Sequence, residues 1–102
     1  MTFEWDENKN RENIRKHYLD LSDAPEVFRL PMLVQVDSRA SYGEARSVGI
    51  GLLRDLVVVL VFTERDSDII RIISLRRALK YEREEFFRYV RNQLGAPEDD
   101  VG

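Results

Sequence analysis

A chain of 102 residues, 43% of them hydrophobic, has room for one domain with a modest core. It contains no cysteine, which excludes disulfides and thiolate metal sites, and its single histidine leaves a histidine-based zinc site without a second ligand of its kind. The formal charge of −3 argues mildly against a nucleic-acid partner, but residues 39–91 carry eleven basic and eight acidic side chains, so a local positive patch survives an acidic total.

The opening MTFEWDENKN has no apolar segment behind a basic start, so it is no signal peptide, and the composition suits a cytoplasmic protein. Phe3 and Trp5 alternate with polar neighbours, as in a short extended lead-in. Asp6 is a good N-cap for a helix running to about His17. Ile14 and Tyr18, four apart, are its expected apolar contacts. Lys9, Asn13, Lys16 and His17 fall at i, i+4, i+7 and i+8, on one face. The plain reading of that face is solvated charge. Ser22 is a second N-cap candidate, and Pro25 is tolerated in the first turn of a short helix over 23–28 that buries Ala24, Val27 and Phe28. Pro31 ends it. Met32 to Val36 reads as a strand, and Asp37 to Gly43 as an exposed loop.

Ala45 to Leu53 is a strand with Val48, Ile50 and Leu52 on one face and Gly49 and Gly51 on the other, where a helix can approach closely. Arg54-Asp55 serves as a two-residue turn. Leu56 to Phe62 is an unbroken apolar run, which predicts a strand buried on both faces at the centre of a sheet. It is far too short to span a membrane. Asp66 to Asp68 forms the next turn, and Ile69 to Ser74 resumes as a strand. These turn lengths pair Thr63 with Arg71 and bring Arg46, Arg65 and Arg71 onto one sheet face. Guanidinium groups match phosphate oxygens two hydrogen bonds at a time, so such a cluster suits a phosphate grip. A one-residue slip in either turn would scatter it.

From about Arg76 to Asn92 the period is helical, with Leu79, Phe86 and Val90 in one stripe and Gly95 and Pro97 as stops. Arg76, Arg77, Lys80 and Arg83 load its start with cations. That is the wrong end for the helix dipole, so a bound phosphate would relieve it. The alternative is ordinary surface pairing with Glu82, Glu84 and Glu85. Ser74 reads as a helix cap. Residues 1–95 form one domain, and the acidic stretch 96–102 is expected to be a disordered tail. No glycine-rich phosphate loop, serine triad or metal motif is present.

Four motifs, in order, resemble the BrnT toxins of bacterial type II toxin–antitoxin modules. The first is F-E-W-D-x-x-K-x-x-x-N-x-x-K-H, carried by Phe3, Trp5, Asp6, Lys9, Asn13, Lys16 and His17. R-x-x-x-I-G follows at Arg46, Ile50 and Gly51, then V-V-x-x-x-T-x-R ending in Arg65. The last is R-I-I-S-x-R-x-A-x-x-x-E, at Arg71 to Ser74, Arg76, Ala78 and Glu82. Together they cover roughly residues 3–86. Tyr18 stands where the family usually has Gly, and Leu21 where an aromatic is usual.

The resemblance implies an α+β, RelE-like fold. It would have a small antiparallel sheet of three to four strands, N-terminal helices and a C-terminal helix on one side, and the active cleft on the other. It implies a ribonuclease that cuts messenger RNA and is held inactive by an antitoxin; with no metal motif and abundant Arg and Lys, the expected mechanism needs no cofactor or metal, the RNA 2′-hydroxyl attacking the adjacent phosphate. Arg65 and Arg76 are then the expected charge stabilisers. Lys9, Lys16 or His17 would shuttle protons, His17 being the residue type that titrates near neutrality. Glu82 is a second candidate base or an anchor for Arg76. Arg46, Arg71, Arg77 and Lys80 would grip the RNA backbone. The structural alternative for His17 is stacking on Trp5. The implied partner is a BrnA-like ribbon-helix-helix antitoxin, two toxins on an antitoxin dimer. The antitoxin would carry DNA binding, and no membrane is involved. Two other classes fit arginine clusters: a toxin of similar fold that binds a protein target such as DNA gyrase, and a non-catalytic RNA- or protein-binding module.

Overall fold

The apolar run from Leu56 forms β4 (Leu56–Arg65), the middle strand of a five-stranded sheet. Val58 and Leu60 are fully buried on one face while Val57 and Val59 are buried on the other, so the run has no reason to alternate with polar residues. The structure, a computed structural model, describes residues 1–37, 45–66 and 68–94. The expected acidic tail and most of the expected 37–43 loop lie outside the described residues.

Antiparallel neighbours flank β4 on both sides, β3 (Arg46–Leu53) and β5 (Ile69–Arg77). Beyond them, β2 (Leu33–Asp37) pairs antiparallel with β3, and β1 (Thr2–Glu4) pairs parallel with β5. The expectation of three to four antiparallel strands is therefore corrected to a mixed sheet of five. The extra strand is the lead-in itself, with Thr2, Phe3 and Glu4 opposite Ile69, Ile70 and Arg71. Three residues are too few to show a period, and only the distant partner reveals them as a strand.

Both hairpins keep the expected register. Leu53 pairs with Leu56 across Arg54-Asp55, and Arg54 takes a left-handed φ of 54° that a tight turn demands. Thr63 pairs with Arg71, and Arg65 with Ile69. A β-bulge lies just beyond the Thr63–Arg71 pair, away from the turn: Val61 faces Ser74 and Phe62 faces Ile72, which leaves Ile73 as the extra residue.

Leu21, Ala24 and Val27, from a 3₁₀ turn (Leu21–Asp23) and α2 (Ala24–Val27), pack on Leu53, Val58, Leu60, Phe62, Ile72 and Leu75. A Cβ on Gly51 would stand 2.7 Å from Val27 Cγ1, so the glycine is what lets α2 come this close. Asp20, rather than Ser22, caps the turn, its carboxylate accepting from the Ser22 N–H at 2.9 Å. The other face is not left bare. Phe86 of α3 (Lys80–Gln93) packs on Ile50, Val57, Val59 and Ala78, which corrects the expectation of helices on one side only. The strand also runs three residues past Ser74, so α3 begins at Lys80 and not at Arg76. Leu79, expected in the buried stripe, is 55% exposed.

Helix α1 (Glu7–His17) is attached in an unexpected way. Its cap is Asp6, as expected, accepting from the N–H groups of Asn8 and Lys9. Yet Ile14 and Tyr18 are 39% and 83% exposed, and the buried residues are Asn10 and Asn13. Asn13 Nδ2 donates to Leu75 O at 2.9 Å and to Leu19 O at 2.8 Å, while the Leu75 N–H donates to Asn13 Oδ1 at 3.1 Å. One side-chain amide thus stands in for a neighbouring strand where β1 no longer reaches β5. Asn10 accepts from the Leu21 N–H at 2.8 Å and donates to Asp20 at 2.9 Å, fixing the chain that leaves the helix. Among the described residues no helix is long and apolar enough to cross a membrane.

Candidate active site

Because Asn13 docks α1 along β5, the helix face that carries Lys9, Lys16 and His17 meets the end of the strand. Lys9, Glu12, Asn13, Lys16 and His17 line one groove with Ile73 and Ser74. Lys16 and His17 also line a second groove with Tyr18, Arg76, Arg77 and Leu79. Sharing Lys16 and His17, the two grooves adjoin in one open channel, with Arg76 and Arg77 facing that pair in the second groove and the uncharged Ile73 and Ser74 facing it in the first.

Arg76 is held in place on the channel wall. Its Nη1 and Nη2 donate to Glu82 Oε1 and Oε2, each at 2.9 Å, and Nη1 also reaches Arg77 O at 3.2 Å. Glu82 is buried and accepts a further bond from the Leu79 N–H at 2.7 Å. The Arg76 hydrogen bonds hold the Glu82 carboxyl below its ordinary pKa against the opposing effect of burial, and Glu82 in turn raises Arg76. A carboxylate so stabilised accepts protons poorly near neutrality and anchors a guanidinium well. It also supplies the anion that the α3 dipole favours, and Arg76 and Arg77 belong to the strand. The expected helix start loaded with four cations is therefore corrected: of those four, only Lys80 and Arg83 lie in α3, and the first turn carries its own acid. Lys80 is exposed there, next to Leu79 of the channel.

A second cluster lies elsewhere on the sheet. Arg65 and Arg71 each donate to the same Glu4 Oε2 at 3.0 Å. Arg71 stands opposite Thr63, and extending the β3–β4 register by one residue places Arg46 opposite Thr63 from the other side. The three arginines thus share a face, away from Gly49 and Gly51, as the turn lengths predict. Arg76, however, pairs with Val59, six positions before Arg65 on β4, which is about 20 Å at about 3.3 Å per residue. With Arg65 held on Glu4 and Arg76 on Glu82, the two guanidinium groups do not converge on one site.

Trp5 packs against the core and donates its indole N–H to Glu7 at 3.1 Å, at the opposite end of α1 from His17. The stacking alternative for His17 is set aside. Glu4 is the residue that sequence reasoning passed over, since its role depends on a strand too short to recognise. Ser74, expected to be a helix cap, sits in β5 and lines the channel. Tyr18 lines it too, in a left-handed conformation at φ 60° with its N–H on Ile14 O at 2.8 Å.

A family model described as ribonuclease toxin, BrnT, of type II toxin-antitoxin system matches residues 5–82. The crystal structure of the Brucella abortus ribonuclease toxin BrnT is similar at a TM-score of 0.61 and 29% identity, covering 78% of this chain and 99% of that one. No curated protein matches the sequence. The family match takes in all ten candidate residues and stops at Glu82, so most of α3 lies beyond it.

Proposed function

This chain belongs to the BrnT family of ribonuclease toxins of type II toxin–antitoxin systems, and from that premise we propose a cytoplasmic, metal-independent endoribonuclease that cuts messenger RNA and stops growth. The observation that carries the reading is the Arg76–Glu82 fork beside Lys16 and His17 in one channel. The RNA 2′-oxygen bonds to the adjacent phosphorus as the bond to the 5′-oxygen breaks. One proton leaves the 2′-hydroxyl and another reaches the departing oxygen, giving a cyclic phosphate and a 5′-hydroxyl. Arg76 meets the extra charge on the phosphoryl oxygens, oriented by Glu82. His17, Lys16 and Lys9 are the proton carriers on the facing wall. Arg77 and Lys80 hold phosphates near the centre. Arg65, Arg71 and Arg46 hold the backbone farther along, so Arg65, expected with Arg76 to stabilise charge, is a backbone contact in this reading.

An antitoxin covers the channel in this reading. It is a BrnA-like ribbon-helix-helix protein that supplies DNA binding, with two toxins on its dimer, and the toxin fold is of the RelE kind. Purified protein incubated with naked RNA and EDTA tests the chemistry. Fragments ending in cyclic phosphate are expected. RNA left intact at micromolar protein, with or without ribosomes, overturns the nuclease reading and favours a gyrase-type target. Cleavage abolished by EDTA overturns the metal-free mechanism alone.

A further inference from the structure

Beyond the channel, the outward side of α3 carries a stripe of unusual composition. Leu79, Arg83, Phe87 and Arg91 follow one another at i+4, and Lys80 and Leu94 border them at helical spacing. Phe87, Leu94 and Leu79 are 54%, 77% and 55% exposed, although Phe86 beside them is fully buried. Arg83 is braced by a bond from Nη1 to Ala78 O at 3.1 Å, and Phe87 packs against Phe86 with ring centroids 5.5 Å apart. Glu84 is the acid that flanks the stripe, so Lys80, Arg83 and Arg91 leave it positive. Leu79 belongs both to the stripe and to the channel, where exposed Tyr18 also lies, so the two surfaces are continuous.

We propose that this side of α3 is a track for single-stranded RNA leaving the channel, an inference that rests on the nuclease reading above. Spaced cations answer phosphates, and the one exposed aromatic of the stripe, Phe87, offers a face on which a base can stack without regard to sequence. The stripe from Leu79 to Leu94 extends about 22 Å at about 1.5 Å per residue, long enough for several nucleotides. Continuity with the channel gives a single strand running through it a path past Leu79 and onto the stripe.

The test compares wild type, Phe87→Ala and Arg91→Glu on a short RNA that fills the channel alone and on the same RNA extended by several nucleotides on either side. Cleavage gives KM and kcat. Anisotropy with 2′-O-methyl versions, which cannot be cut, gives binding independently. The track requires KM for one extended RNA to rise about tenfold in both variants. Its kcat stays level, short-RNA kinetics are unchanged, and binding of the matching uncleavable RNA weakens by the same factor. Arg91→Glu leaves the Phe86–Phe87 packing untouched, so a loss in Phe87→Ala alone marks a packing effect and overturns the track. Equal binding of extended RNA by all three proteins overturns it while cleavage upholds the nuclease reading. Weakened binding by both variants in a protein that cuts nothing upholds the track and sinks that reading. Variants that lose antitoxin and bind RNA normally assign the stripe to the partner protein and overturn the track.

Discussion

Arg76 and Glu82 face each other through two parallel hydrogen bonds of 2.9 Å, Arg76 from the next-to-last position of β5 and Glu82 from the first turn of α3. The pair ties the sheet to α3 and aims a guanidinium along the channel. Replacing Arg76 by Ala leaves a buried carboxylate with only the Leu79 N–H. A loss of about 1–3 kcal/mol follows, toward the low end because Arg76 is more than a third exposed. Cleavage falls about a hundred- to a thousandfold. Arg65→Ala, at the remote cluster, raises KM with little change in kcat. Arg88→Ala, exposed on another side of α3, leaves both unchanged. Melts and cleavage kinetics on the three variants check this. An Arg76→Ala protein that cuts at the wild-type rate removes the residue from the chemistry.

The same pair makes stability depend on acid. The Glu82 pKa in the folded chain lies below its ordinary 4.5. Its contribution is therefore complete above that value and is lost as pH falls through the lowered one. Urea melts of wild type and Glu82→Gln across the acid range should differ most near neutrality and converge below the lowered pKa. Curves that stay parallel would show that the carboxylate contributes nothing through its charge.

Tyr18 occupies a left-handed backbone position where glycine carries no steric penalty. The Gly that the resemblance leads one to expect at this place would suit the helix end that it closes. Tyr18→Gly should stabilise the chain by about 1 kcal/mol, read as a higher Tm. Because Tyr18 also lines the channel, its KM reports separately on whether the ring touches RNA.

Asn13→Leu keeps the bulk and removes the amide. The Leu75 N–H and carbonyl then lose their partner inside the protein, at about 1–3 kcal/mol for each group. α1 should loosen from β5, and with it Lys16 and His17. Hydrogen exchange localises the effect: faster exchange in α1 and at Leu75, with the β3–β4 ladder still protected, is the expected pattern. Unchanged exchange in α1 would mean that other contacts hold the helix.

Much of the sheet was legible because its signals are local. The Val-rich run, the Arg54-Asp55 turn and the Asp66–Asp68 connection fixed the register that brings Arg46, Arg65 and Arg71 to one face. The face of α1 was legible for the same reason, since Lys9, Lys16 and His17 follow from helical spacing alone. What escaped depends on distant partners. Thr2–Glu4 is a strand only because Ile69–Arg71 lies beside it. Asn13 looked like a surface polar residue because an amide that imitates a strand leaves no apolar mark. The extension of β5 through Arg77 was missed because Arg76 and Arg77 resemble a charged helix start, and the capping acid, Glu82, lies further on. The separation of Arg65 from Arg76 is a length along β4, which face assignment by parity does not contain.

The joint between Asn13 and Leu75 spans 62 positions of sequence. A ribosome delivers Lys9, Lys16 and His17 early and Arg76 and Glu82 late, so the opposing walls of the channel are made far apart in time. Until β5 has emerged, α1 has nothing to dock against, and its few apolar residues give it little reason to fold elsewhere. A nascent or prematurely ended chain that stops short of Leu75 holds no assembled centre. A toxin built this way brings the two walls together only when synthesis of the domain is nearly complete.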